Sequence, residues 1–100
     1  MSIYELLKIE RPTVKESSLN MYMNSLRKAY HSIEGENIVP NSLSFLMKTD
    51  KVNEFLKQLK TDNTRKAYMN HIVVFLLLLN KIAPNPDIDV FIKDLRDRVE

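Results

Sequence analysis

The chain has no cysteine, one glycine and four prolines among its 100 residues. Without thiols it can build neither a disulfide framework nor a thiolate metal site, and it suits a reducing compartment. A single glycine leaves few of the tight turns that an all-β fold needs. No long hydrophobic run is present either. The longest, residues 72–79, is eight residues, far short of the roughly 20 that span a bilayer. The stretch from Met1 to Glu5 lacks the basic-then-apolar pattern of a secretory leader. The expectation is a soluble intracellular protein, in the cytoplasm or nucleoid, with no membrane contact.

Leu, Lys, Met and Glu, all good helix formers, are well represented in what remains. A chain of this length makes one domain with one core and leaves no room for a separate catalytic module. Residues 1–100 are therefore expected to form a single all-α domain, a compact bundle of four to five helices.

One motif occurs twice. Ser18-Leu-Asn-Met-Tyr22-Met-Asn-Ser-Leu26 returns 46 positions later as Thr64-Arg-Lys-Ala-Tyr68-Met-Asn-His-Ile72. Each copy reads hydroxyl, three residues, Tyr-Met-Asn, one residue, aliphatic. Positions four apart stack on one helix face, so each describes a helix start with an inward Tyr and an aliphatic residue one turn on.

Charge follows the repeats. Net charge is +2 overall, but residues 1–33 carry +2, 34–62 −1, 63–81 +3 and 82–100 −2. The segments 17–33 and 63–81 hold Arg27, Lys28, Arg65, Lys66 and Lys81 and no carboxylate. Basic, carboxylate-free helices point to nucleic acid.

Along the chain, residues 1–12 read as an N-terminal arm or short helix with Ile3, Leu6 and Leu7 on one side, stopped at Arg11-Pro12. The next helix opens at the Thr13-x-x-Glu16 capping box or at Ser17. Its inward stripe is Leu19, Tyr22, Met23, Leu26, Ala29, Tyr30 and Ile33, its outward face Asn20, Asn24, Arg27, Lys28 and His31, and Gly35 ends it. Leu43, Phe45, Leu46 and Met47 predict one helical turn. A third helix, capped by Thr49 or Asp50, turns Val52, Phe55, Leu56 and Leu59 inward. Thr61 to Thr64 cap a fourth, polar at first and then apolar all round from Ile72 to Leu79, which places it centrally. Leu77 and Leu78 are the members of that run that could stay exposed. After Asn80 to Pro86, Asp87 can cap a last helix, 87–100, with Ile88, Phe91, Ile92, Leu95 and Val99 inward, still running at Glu100.

Two helices of the form S/T-x-x-x-Y-x-x-x-aliphatic, around a shorter V-x-x-F-L-x-x-L helix and followed by Asn85-Pro86, resemble the SAM-like core-binding domain of tyrosine recombinases, the phage integrase family. Ser18, Tyr22, Leu26, Val52, Phe55, Leu56, Leu59, Thr61, Thr64, Tyr68, Ile72, Phe75 and Leu76 carry the resemblance over nearly the whole chain. It implies a domain that clamps duplex DNA for site-specific recombination, such as integration, with the repeat helices in adjacent major grooves. The family's catalytic domain would follow the last helix. Its Arg, His-x-x-Arg and nucleophilic Tyr are absent here, since His31 precedes Glu34 and His71 precedes Val74 at that spacing. The chain alone is not expected to be an enzyme, although it could be a fragment of one.

The candidate DNA-binding residues are Asn20, Asn24, Arg27, Lys28, His31, Arg65, Lys66 and Asn70, with Lys15 and Lys81 as further phosphate contacts. Arg65 and Lys66 in a helix's first turn oppose its dipole, which an arriving phosphate would explain. The asparagines match adenine edges by type. His31 and His71 are single histidines, each able to touch a phosphate, and neither metal nor cofactor is expected. Tyr22 and Tyr68 are assigned to packing. A monomer free in solution, meeting neighbouring recombinase protomers on DNA, completes this reading. The alternative is a helical protein–protein interaction module that never meets nucleic acid, using the apolar run and the last helix.

Overall fold

A computed structural model describes residues 2–99. The side chain of Val99, expected on the last apolar stripe, and Glu100, where that helix was expected to continue, lie outside the described residues, as does Met1. Five α-helices and one short 3-10 turn make up the described chain: α1 (Ile3–Glu10), α2 (Glu16–Glu34), the 3-10 turn (Ser44–Met47), α3 (Thr49–Lys57), α4 (Asp62–Ile82) and α5 (Pro86–Val99). The described residues contain no strand.

The apolar stretch of α4 organises the bundle. Its 21 residues, at a rise of about 1.5 Å each, match the full 30 Å width of the molecule. Ile72, Val73, Val74, Phe75, Leu76, Leu78 and Leu79 are buried, and Leu77 is half-buried. Burial on every side requires neighbours on every side, and α4 touches α1, α2, α3 and α5, the last most extensively. Against it α5 buries Ile88, Phe91, Ile92 and Leu95, α2 buries Leu19, Leu26, Ala29 and Ile33, and α3 buries Val52, Phe55 and Leu56. Leu43, Phe45 and Leu46 from the 3-10 turn close one end, with the Tyr30 ring edge-on to Phe45 at 5.0 Å.

Helix ends follow local chemistry with three departures from the sequence reading. Ser2 caps α1 through a full capping box with Glu5, a pairing the Ser-x-x-Glu spacing encodes. Neither the Thr13 box nor Ser17 opens α2; Lys15 occupies that cap and makes no side-chain bond. Lys48, whose side chain pairs with Glu34 and makes no capping bond, precedes α3, so Thr49 and Asp50 are helical residues rather than caps. The last helix starts at Pro86, not after Asp87: Asn85 Oδ1 accepts from the Asp87 N–H at 2.9 Å, and proline takes the first helical position, where its missing N–H costs nothing. Asn80 braces this corner, its Oδ1 accepting from the Asn85 N–H and its Nδ2 donating to Asp89.

Gly35 ends α2 at φ +79°, the left-handed region that suits glycine, and a Cβ there would touch nothing. The cost of Gly35→Ala is then backbone strain alone, about 1 kcal/mol. Phe75→Ala, which empties the core's centre, is expected to cost about 3–5 kcal/mol in urea unfolding.

Candidate nucleic-acid interface

The two copies of the motif meet. Ser25 and His71 occupy the same place in their copies, between Asn and the aliphatic residue, and Ser25 Oγ lies 2.6 Å from His71 Nδ1 where α2 crosses α4. Ser25 also donates to the Met21 carbonyl at 3.1 Å. A hydroxyl has one proton; with that proton on Met21, His71 is the donor and carries hydrogen on Nδ1. Both motif tyrosines flank the imidazole. Tyr22 stands edge-on to it at 4.7 Å, and Tyr68 lies roughly parallel at 6.3 Å. Their assignment to packing agrees with this, although both are half-buried rather than enclosed.

His71 is therefore part of the helix crossing, and the phosphate contact considered for it gives way to the bond with Ser25. Burial removes water from the imidazole and lowers its pKa below 6.5. Although the pair suggests a nucleophile and base, Ser25 is 5% exposed and no carboxylate hydrogen-bonds His71 among the described residues. The third group that would orient a general base is missing.

Above this contact runs a shallow groove of about 370 Å³. From α2 it is lined by Met21, Asn24, Ser25 and Lys28, one stripe at steps of three and four; from α4 by Asn63, Thr64, Ala67, Tyr68 and His71. The structure thus brings two candidate residues, Asn24 and Lys28, onto the same surface as the opening turns of α4. Lys28 also borders a second groove with His31, Asn37, Gln58 and Leu59. Asn20 is exposed on α2, and Lys66 and Asn70 are exposed on α4, one turn apart, without lining the first groove. Met21, Asn63 and Ala67 were not singled out by sequence. Asn63 looked like part of a cap, and Met21 and Ala67 have meaning only once α2 lies beside α4.

Arg65 has a different task from the one its charge suggested. Its guanidinium donates to the Leu56 carbonyl at 3.2 Å, the Leu59 carbonyl at 2.8 Å and Asp62 at 2.8 Å. Carbonyls at a helix C-terminus lack intrahelical partners, so Arg65 closes the end of α3 from the first turn of α4. This explains a cation at that dipole-opposed position without an anion from outside. Thr61, whose Oγ1 accepts from the Thr64 N–H at 3.1 Å, and Asp62 already occupy the α4 N-terminus. Arg27 donates to Asn24 and Asn37, both at 3.0 Å, and Lys81 pairs with Glu10 on α1. Among the described residues Lys28 and Lys66 are candidates with no ion-pair partner.

No protein-family model, curated protein or solved structure matches the chain. No helix of the described residues is long and apolar enough to cross a membrane, and no group of three or more His, Cys, Asp or Glu among them could hold a metal ion.

Arg65→Ala should lower stability by about 1.5–3 kcal/mol, because charge-assisted bonds to partly buried carbonyls are lost, while Lys66→Ala should stay within about 0.5 kcal/mol; paired urea melts compare them. His71 adds a pH dependence. Its folded-state pKa lies below the unfolded 6.5, so the unfolded chain binds more protons between the two values and stability falls as pH drops through that window. Between about pH 7.5 and 5.5, wild type should lose more stability than His71→Gln.

Proposed function

We propose that this chain binds duplex DNA through the face shared by α2 and the first half of α4, as the core-binding domains it resembles do. The observation that carries this reading is the meeting of the two motif copies at Ser25 and His71, which puts Asn24 and Lys28 of α2 on one groove with Asn63 and Thr64 of α4. Lys28 and Lys66 are the cations free to take phosphates. Arg27 keeps its charge while bonded to neutral amides and can add a third contact. The role of Arg65 is to hold the platform.

Association is electrostatic and weak. About three phosphate contacts correspond to a salt slope of roughly −2 to −3, shallower than all the basic residues of the repeats together would give. The chain acts by binding, in recombination or integration, and any chemistry belongs to another domain. It is a monomer in free solution and meets neighbouring protomers on DNA. The protein-interaction alternative was to use the apolar run and the last helix. Seven of the run's eight residues are buried, so that reading would fall back on exposed Ile82 and Val90.

Fluorescence anisotropy on a labelled duplex of about 30 base pairs, at low and moderate salt, tests the proposal. Charge reversal belongs at Lys28→Glu/Lys66→Glu, since altering Arg65 would disturb α3. Salt-sensitive binding that is lost in the double variant, with helical circular dichroism unchanged, is the expected result. No binding even at low salt would overturn the reading.

A further inference from the structure

Resting on that reading, we infer that the α2/α4 groove selects A·T over G·C base pairs. Its lining includes two carboxamides, Asn24 and Asn63, two apolar side chains, Met21 and Ala67, and Thr64 and Lys28. All of them are exposed, Met21 to 59%. In a major groove adenine presents an acceptor beside a donor, which one carboxamide matches with its N–H and C=O together. Thymine adds a methyl group, which favours an apolar neighbour. Guanine presents two acceptors, which an arginine or a lysine reads. Neither arginine near this face is available for that: Arg65 is fixed on α3 and Asp62, and Arg27 on Asn24 and Asn37.

Arg27 also positions the reader. By donating to Asn24 Oδ1 at 3.0 Å it sets which end of that amide is the oxygen, and the oxygen's second lone pair and both amide hydrogens remain for a base. Asn37 holds Arg27 from the far side. Lys28, a hydrated point charge on a flexible stem, acts at phosphates.

The test uses the full chain and three duplexes of equal length and identical flanks, with central pairs A·T, G·C, or A·U, in which uracil removes only the thymine methyl. The A·T duplex should bind at least about fivefold more tightly than the G·C duplex, the low end for one bidentate pair. The A·U duplex should fall between them. Asn24→Ala should remove the A·T preference and keep the salt slope, and Met21→Ala should remove the thymine–uracil difference, with circular dichroism confirming the fold of each. Equal, salt-sensitive binding to A·T and G·C would overturn this inference and leave the duplex-binding reading standing. A preference that survives both uracil and Asn24→Ala would place discrimination in the minor groove or in duplex flexibility, and would also overturn it. Binding to none of the duplexes would remove the underlying reading.

Discussion

A helix that is apolar on every side has to be enclosed, and the second half of α4 imposes that requirement on the rest of the chain. Seven buried side chains between Ile72 and Leu79 need cover from all directions, and α1, α2, α3 and α5 supply it. The first half of α4 is the complement. Polar from Asp62 to Asn70 apart from Ala67, Tyr68 and Met69, it reaches the surface, and the place where it crosses α2 becomes the site. Burial of one half of a single helix therefore determines where the other half presents its side chains.

The crossing itself is polar. A serine and a histidine in matched motif positions satisfy one another there, and the two tyrosines close around them. Such a contact fixes register more narrowly than apolar packing alone, because a shift along either helix would leave a partly buried imidazole unpaired. The same need for partners explains why several cations are already engaged within the fold. Arg65 completes the end of α3, Lys81 joins α4 to α1, and Arg27 holds Asn24. Net basicity therefore overstates what the face can offer to an anion. What it does offer is Lys28 and two carboxamides in the groove and an exposed Lys66 on the same half of α4.

Most of the architecture was legible in the sequence. The three- and four-residue steps from Leu19 to Ile33 and from Ile88 to Leu95 mark two helices, and Gly35 and Thr61 mark boundaries that the structure keeps, whereas Pro86, read as part of a break before an Asp87 cap, opens α5 itself. The starts of α2 and α3 were misplaced because Lys15 and Lys48 stand at the caps without a side-chain capping bond, which leaves no signature in residue types. Arg65 was read by its charge because its partners are backbone carbonyls, and a carbonyl is present at every position. The repeat spacing of 46 pointed to two related helices, but not to contact between Ser25 and His71, which depends on how the helices cross. For the same reason Met21, Asn63 and Ala67 became visible as one surface only in the fold.

The central claim is that the α2/α4 face, and no other, meets DNA. Two-dimensional amide NMR of the full chain, titrated with duplex at low salt, tests it most directly. Shifts should concentrate on the α2 stripe of Met21, Asn24 and Lys28 and on α4 from Asn63 to Asn70, with α5 unchanged. Shifts centred on α5 or around Ile82, with the α2/α4 groove unmoved, would contradict it.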